Sequence, residues 1–382
     1  MSLTSMFFIK PIYGPIGVDC SLIAAAVIAV VFLISAAKIR KIPETPKGFA
    51  KNLRCVWLCR ELFVILPIEI KQMMNMTTTD EQYMRRCLQL AACGRQNAKP
   101  NPMVGAVIVV GDRIIGEGYH VRCGEGHAEV NAFASVRPDD EALLPVATMY
   151  VSLEPCSHYG KTPPCADLII KKGVRRVVVG CIDEFAEVQG RGIAKLHEAG
   201  IDVTVGVLEA ECRALNRRFF TFHRLHRPYI ILKWAQTANG FIDDHGRAVQ
   251  ISSPFTQMLS HKLRAEEDAI LVGRVTDERE HPQLNVRHWT GPDPKRLVVD
   301  RRHPLDLATL YHHNIQSLIV EGGRRTLESF LIQGLWDEIR VETNTRLCVG
   351  DGTRAPQLPA TVSVVSNACY DGNVIVTYVR GT

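Results

Sequence analysis

One histidine and two cysteines constrain the fold of this chain more than any other feature of the sequence. They are His127, Cys156 and Cys165. Imidazole and thiolate are donors that zinc prefers, and three protein ligands leave a fourth tetrahedral position for water, as in catalytic sites. Whatever fold the chain adopts must therefore bring three separate segments to one point.

The residues beside these ligands indicate which chemistry the site performs. Glu129 follows the histidine by two residues, and Pro155 precedes the first cysteine. His-x-Glu followed by Pro-Cys and a second Cys is the signature of zinc deaminases, in which the Glu is the general acid/base and not a ligand. We therefore predict a Zn²⁺ site with Glu129 as the catalytic residue. A purely structural zinc site is the alternative.

The second cysteine departs from the common spacing, and this departure points to one family. Eight residues separate the two cysteines, where the common signature is Pro-Cys-x-x-Cys. The run Leu153–Cys165, with Asn101–Gly105 and Gly118–His120 ahead of it, resembles the deaminase half of the bifunctional riboflavin-biosynthesis deaminase-reductases. Pro282–Arg287 and Val320–Gly323 resemble the reductase half, less specifically. The first 75 or so residues have no part in the resemblance.

The resemblance implies an α/β fold with two domains. We expect a cytidine-deaminase-like domain of three α/β/α layers at residues 76–223, a linker at 224–228, and a shortened dihydrofolate-reductase-like α/β domain at 229–382. The residue pattern points the same way, because apolar runs such as Val104–Val110 alternate with segments of helical periodicity. One of these segments predicts a single helix over Glu209–Phe222.

The resemblance also implies the reactions and the residues that serve them. The first domain would deaminate 2,5-diamino-6-(5-phosphoribosylamino)pyrimidin-4(3H)-one hydrolytically, and the second would reduce the ribosyl side chain of the product with NADPH. The positions that match substrate contacts of the family are Asn101, His120, His158, Lys161, Arg264, Leu284, Arg287 and Glu321. Those that match cofactor contacts are Ala235, Gln250, Thr276, Glu280, Gly322 and Gly323.

Two other functions stay open at this point. Only fourteen residues separate Asp300 from Ile315, where the family has a much longer stretch. A working deaminase joined to a defective reductase domain would fit this short connection. The alternative from another class of protein is a membrane-anchored zinc-binding module without turnover.

Residues 1–75 differ in kind from the rest. They hold nine Lys and Arg against four Asp and Glu, which is the whole net charge of +5, while the remainder holds 36 of each sign. Leu22–Ala37 is an uncharged run of sixteen residues, slightly short for a spanning helix of about 20. We interpret this extension as a start codon assigned too early or as a membrane segment, with a signal peptide as a third reading.

The composition limits the partners. The neutral remainder of the chain gives no reason to expect a nucleic-acid partner. A cysteine pair that binds zinc in a large α/β chain is typical of a reducing compartment. We therefore expect a cytoplasmic homo-oligomer that acts on a small molecule and contacts no membrane unless residues 1–75 belong to the native protein.

Overall fold

The structure is a computed structural model that describes residues 68–159, 163–184 and 189–381. The chain divides into two units, Met1–Asn75 and Met76–Thr382. Of the extension 1–75, the structure describes only the residues from Ile68 onward, which begin the first helix. The other expectations for this extension, and the expectation for Lys161, concern residues outside the described ranges. Within the described ranges, no helix is both long enough and apolar enough to cross a bilayer.

The first domain is built on a five-stranded sheet. Its elements are α1 (Ile68–Cys93), β1 (Gly105–Val110), β2 (Arg113–Tyr119), α2 (Ala128–Ala134), a 3₁₀ helix (Pro138–Val146), β3 (Thr148–Leu153), α3 (Cys165–Lys172), β4 (Arg176–Cys181), α4 (Arg191–Glu198), β5 (Asp202–Val205), α5 (Glu209–Leu215) and α6 (Arg217–Leu225). The strand order is β2-β1-β3-β4-β5. β1 is antiparallel to β2 and β3, whereas β3, β4 and β5 run parallel.

Helices cover both faces of this sheet. α2, α3 and α4 pack on one face through Ala132, Ile169 and Leu196, all fully buried. α1, α5 and α6 pack on the other face, where Met84 and Cys212 are fully buried. Strands enclosed on both sides read as continuous apolar runs, as in β1 and β4. The expected three-layer α/β/α arrangement is confirmed.

The helix predicted over Glu209–Phe222 is wrong as a single element. It is broken between α5 and α6 at Asn216, whose side chain is buried. The amide of Asn216 accepts from the backbone N–H of Met103 at 2.8 Å and donates to the carbonyl of Met103 at 2.8 Å. A contact with a distant loop therefore decides the break, and helical periodicity carries no sign of it.

The second domain is built on a seven-stranded mixed sheet. Its elements are β6 (Tyr229–Thr237), α7 (Pro254–Glu266), β7 (Ala269–Gly273), α8 (Arg274–Glu280), β8 (Lys295–Val299), α9 (Leu307–His312), β9 (Ser317–Val320), α10 (Arg324–Ile332), β10 (Glu338–Asn344), β11 (Val362–Tyr370) and β12 (Asn373–Arg380). The strand order is β11-β12-β10-β6-β9-β7-β8. β10, β6, β9, β7 and β8 are parallel, and β12 is antiparallel to both β10 and β11.

The short connection after Asp300 holds one helix and no strand. α9 occupies it and places Leu310 in the core of the domain. β8 is therefore the last strand on its side of the sheet, and Val298 on this strand is 39% exposed. The sheet ends at β8 because the connection after Asp300 forms α9 and adds no strand beyond it.

Candidate active site

The three predicted zinc ligands come together in the first domain. The Nδ1 atom of His127 lies 3.5 Å from the Sγ of Cys156 and 3.3 Å from the Sγ of Cys165. The three ligand atoms all lie within 4.8 Å of one another. This donor set and this spacing fit one tetrahedral Zn²⁺ ion with a position left for water.

Each ligand stands at the edge of a rigid element. His127 is the N-cap of α2, and Cys165 is the first residue of α3. Cys156 follows β3 by three residues. α2 can lie close to β2 because Gly118 has no side chain, since a Cβ there would come within 2.4 Å of the backbone nitrogen of Ala132. The spacing of the ligands is thus set by the packing of helices on the sheet.

Glu129 lies in the first turn of α2, and its side chain is buried beside the ligands. Burial, together with the neighbouring Cys156 sulfur, raises the pKa of Glu129 to about 7. Two neighbours, the Cys165 thiol and the His127 imidazole, hold the pKa of Cys156 well below its usual value by hydrogen bonding. A carboxyl group that titrates near neutral pH can both accept and return a proton under physiological conditions.

Two predicted substrate residues stand next to the metal ligands. His120 is buried, and its ring lies edge-on to that of His127 at 5.5 Å between centroids. The side-chain amide nitrogen of Asn101 is 3.1 Å from the Nε2 of His120. Burial lowers the pKa of His120, which favours the neutral imidazole. The amide and the imidazole together offer neutral hydrogen-bonding groups to an uncharged heterocycle.

The role of Glu154 was not predicted, although this residue lies in the run Leu153–Cys165 that carries the family resemblance. The buried carboxylate of Glu154 accepts backbone N–H groups from Gly192 at 2.9 Å, Gly190 at 3.0 Å, and Asp183 and Ile193 at 3.3 Å. It fastens the segment before Cys156 to the start of α4. An acidic residue next to Pro-Cys was the available signal, but its partners lie 29 to 39 residues away along the chain.

In the second domain, two of the predicted residues meet in a largely buried cluster of charges. Arg264 donates to Glu321 at 2.8 Å, and the Nζ of Lys233 lies 3.4 Å from the other oxygen of Glu321. Although burial opposes ionisation, the charges of Lys233 and Arg264 hold the pKa of Glu321 below its usual value. The Nε of Arg264 and the Oε1 of Glu321 are buried without a hydrogen bond. Lys233, on β6, was not predicted.

The other residues predicted for the second domain are more scattered. Thr276 and Gly323 do meet, since the N–H of Gly323 donates to the Thr276 hydroxyl at 3.1 Å. Arg287 is exposed and bonds to the side chains of Gln283 and Asn285. The remaining predicted positions are Leu284, buried; Gly322 and Ala235, half-buried; and Gln250, Glu280 and, in the first domain, His158, all exposed.

Two family models match the chain, one in each domain. The "cytidine and deoxycytidylate deaminase zinc-binding region" matches residues 77–181, and the "RibD C-terminal domain" matches residues 228–309. The first match includes the three ligands and Glu129. These matches, with the ligand cluster, confirm the expected cofactors, Zn²⁺ for the first domain and NADPH for the second.

Whole-chain comparisons agree with these two matches. The chain is 38% identical to riboflavin biosynthesis protein RibD of Aquifex aeolicus over 309 residues, which is 69% of this chain and 86% of that protein. It is 44% identical to RibD of Escherichia coli (strain K12) over 239 residues, 59% of this chain and 64% of that protein. The similarity thus covers a larger share of the Aquifex aeolicus protein than of the Escherichia coli protein.

A solved structure supports the same conclusion. The Thermotoga maritima protein described as a diaminohydroxyphosphoribosylaminopyrimidine deaminase/5-amino-6-(5-phosphoribosylamino)uracil reductase is 31% identical, with a TM-score of 0.73 over 80% of this chain and 99% of its own. The expectation of an enzyme with a zinc-dependent deaminase domain and a reductase domain is confirmed, and the two rival functions are not favoured. The chain belongs to the RibD family of bifunctional riboflavin-biosynthesis enzymes.

Proposed function

We propose that the first domain deaminates 2,5-diamino-6-(5-phosphoribosylamino)pyrimidin-4(3H)-one and that the second domain reduces the ribosyl side chain of the product to ribityl with NADPH. The observation that carries this proposal is the convergence of three zinc-type donors on one point beside a buried carboxyl group. The substrate is the one implied by the name of the Thermotoga maritima protein.

In the deaminase reaction, water adds to the ring carbon that bears the amino group, and ammonia leaves. His127, Cys156 and Cys165 would hold the zinc ion, which supplies a water whose pKa is lowered to about 7. Glu129 would take one proton of the attacking water and deliver it to the ring nitrogen, and it would then pass the second proton of that water to the amine, which leaves as ammonia. Its buried position in the first turn of α2, beside the ligands, suits both transfers.

Asn101 and His120 would bind the heterocycle in this site. His120, at the end of β2, lies against the ligand His127, and Asn101, in the loop before β1, contacts His120. An amide can donate to and accept from a pyrimidine edge at once, which gives orientation as well as affinity. His158 and Lys161 would reach the phosphoribosyl group from the segment between the two cysteines.

The charge cluster of the second domain would bind the product. The Nε of Arg264 is buried without a hydrogen bond and is a donor for a ribose or phosphate oxygen, and Glu321, whose Oε1 faces Lys233 at 3.4 Å, can accept a ribosyl hydroxyl. Arg287 and Leu284 would complete the substrate side of this pocket. A buried donor without a hydrogen bond costs stability, and a ligand oxygen that accepts from the Nε of Arg264 would recover that cost.

The start of α10 fits a phosphate of the nicotinamide cofactor, which supplies hydride when bound. α10 begins after Gly323 without a side-chain cap, so its first N–H groups are open to an anion. The Gly323 N–H itself is already bonded to Thr276. Gly322, Gly323 and Thr276 would therefore flank the phosphate, with Ala235, Gln250 and Glu280 as further proposed contacts.

The proposal is tested by measuring ammonia release and NADPH oxidation together on the phosphoribosyl pyrimidine. We expect ammonia to appear first and NADPH oxidation to follow the deaminated product. Ammonia without NADPH oxidation would contradict the proposed reductase reaction. A zinc-replete protein that releases no ammonia from this compound would contradict the proposed substrate of the deaminase domain.

We further propose that the enzyme is cytoplasmic and acts as a homo-oligomer. The nine described cysteines are all free thiols, which supports a reducing compartment. Sedimentation of the purified chain and fractionation of the cells that make it would test both statements. A monomeric enzyme, or one recovered with membranes, would contradict them.

A further inference from the structure

The second domain holds the loop that carries Asn101. The ammonium group of Lys99 donates to the carbonyl oxygen of Glu266 at 2.6 Å and to Asp268 at 2.7 Å. The side-chain amide of Gln316 donates to the carbonyl oxygen of Pro100 at 2.6 Å. We call residues 99–101 the pocket loop. This loop carries Asn101 and is bonded to the second domain at two points, through the Lys99 ammonium group and through the Pro100 carbonyl oxygen.

These anchors are themselves firmly placed. Gln316 is 4% exposed, and Asp268 accepts the backbone N–H groups of Gln316 and Ser317 at 2.8 and 3.1 Å. Asp268 therefore ties the end of α7 to the start of β9, and Lys99 bonds to this joint. The pocket loop meets a rigid corner of the second domain.

On its other side, the loop is held within the first domain. Two hydrogen bonds between Met103 and Asn216 fix the chain beyond the loop. The backbone N–H of Asn101 donates to Ala98 at 2.9 Å. The direction of the Asn101 side chain is therefore set by its contact with His120 at 3.1 Å and by the loop conformation between these supports, and one of the two supports belongs to the reductase domain.

Cohesion between the domains does not explain these contacts. Arg218 and Glu267 already form a buried ion pair between α6 and the segment after α7, and Gln96 donates to the carbonyl of Thr290 at 2.9 Å nearby. Gln316 differs from both because its target, Pro100, directly precedes Asn101. Lys99 and Gln316 act on the pocket and not only on the interface.

We propose that Lys99 and Gln316 are positioning residues of the deaminase site, through which the reductase domain orients Asn101 toward the pyrimidine. The inference rests on the proposed role of Asn101 in substrate binding. The reductase domain then has a second task, which is to complete the substrate pocket of its neighbour. Loss of either anchor weakens substrate binding while the metal site and Glu129 stay intact.

The first test is Gln316→Leu, which keeps the size of the side chain and removes the donor. We expect the deaminase KM to rise about three- to tenfold, the range of one lost hydrogen bond, with kcat, zinc content and reductase activity unchanged. The matched control is Gln333→Leu, because Gln333 also donates to a carbonyl, that of Ser329, but within the second domain. An unchanged KM in a folded Gln316→Leu enzyme overturns the proposal.

Lys99 gives a second, independent variant with a rescue. Lys99→Met removes the donor and should raise the deaminase KM, and Lys99→Arg keeps a cationic donor of similar reach and should restore it. A general loss of folding would lower kcat and reductase activity as well, so the split between KM and kcat separates the two causes. Equal KM values for the Met and Arg variants would overturn the proposal.

A double-mutant cycle connects the anchors to Asn101. If Gln316 acts through Asn101, the KM effect of Gln316→Leu should vanish in an Asn101→Ala background. Additive effects would overturn the proposal. If Asn101→Ala alone leaves the KM unchanged, the proposed role of Asn101 in substrate binding is wrong. If Asn101→Ala raises the KM but Gln316→Leu does not, Asn101 binds substrate and only the proposed role of Gln316 is wrong.

Discussion

The metal site of the first domain and the charge cluster of the second domain are assembled in different ways. The zinc ligands and Glu129 all lie between residues 127 and 165, on elements that are neighbours in both sequence and space. Lys233, Arg264 and Glu321 come from β6, α7 and the end of β9, far apart in the chain. A site whose residues are close together in the sequence can be recognised by their spacing. A site whose residues come from distant segments shows no such spacing, so each residue must be recognised by itself.

The largest expected effect concerns the first site alone. Glu129→Gln should keep its zinc but lose about 10²–10⁴-fold in deamination, because the amide cannot transfer protons. Ammonia release and metal content are the measurements, and Glu125→Gln, in the exposed loop before His127, is the control. Since the two sites are separate, reduction of added deaminated product should be unaffected. Near-normal ammonia release would assign the proton transfer to another group.

The next effect tests the junction between the two regions. The Glu267 side chain is fully buried and bonds to Arg218 at 2.7 Å. Arg218→Leu leaves this carboxylate without its partner and should lower the free energy of unfolding by about 3–5 kcal/mol. Urea unfolding measures the loss. A double variant, Arg218→Leu with Glu267→Leu, should recover most of it, and failure to do so would mean that packing and not charge is responsible.

The same pair predicts a pH dependence with a definite sign. Burial favours the neutral form of Glu267, but the Arg218 charge outweighs burial and holds the pKa of Glu267 below its usual value. This contribution to stability is therefore present above the unfolded pKa of about 4.3 and is lost as the pH falls through the lower folded pKa. In Arg218→Leu, the largest charge that opposes burial is removed and only the smaller contributions of Lys99 and Ser317 are left, so the pKa of Glu267 should rise and the variant should lose less stability than the parent protein as the pH falls. A gap between the two proteins that widens at low pH would contradict this account.

A smaller effect is expected in the second site. Glu321→Gln keeps the shape of the side chain but removes the charge that Lys233 and Arg264 share. Reductase kcat/KM should fall about 10- to 100-fold, the range for a lost hydrogen bond to a charged group, while deamination is unchanged. Glu328→Gln, on α10, is the control. Unchanged reduction would show that the cluster is not the product site.

The smallest expected effect is that of removing residues 1–75. The family match begins at residue 77, and the charge of the extension differs from that of the rest. We therefore expect both activities and the zinc content to stay within about twofold of the full chain, since no match depends on the deleted residues. A large loss in either activity would show that the extension supports the corresponding domain.

Much of this architecture could be predicted from the sequence. Several features that were not predicted depend on contacts between residues that are far apart in the chain. His127, Cys156, Cys165 and Glu129 were predicted because donor type and spacing are visible in the sequence, and their convergence is as expected. The break at Asn216 was not predicted because a contact with Met103 decides it. β10, β11 and β12 were also missed, although they complete the second sheet.

The contacts that could not be predicted are side-chain bonds across long stretches of chain. Glu154, Lys99 and Gln316 each bond to backbone groups of a distant segment. Such bonds require no particular residue type at the receiving position, because any backbone can supply a carbonyl or an N–H. One sequence therefore shows the side chain that bonds but gives no indication of its partner.

The strand order of the second sheet has a consequence for the order in which the two domains fold during synthesis on the ribosome. β6 is made first, but its two neighbours, β9 and β10, are made only near the end of the chain. Domains tend to fold as units during synthesis, the N-terminal one first. The five-stranded sheet can therefore fold and bring its metal ligands together before β9 and β10, the strands that pair with β6, have been synthesised. Gln316, just ahead of β9, reaches Pro100 only afterwards, so a nascent chain would hold a finished zinc site before its pocket loop is fastened.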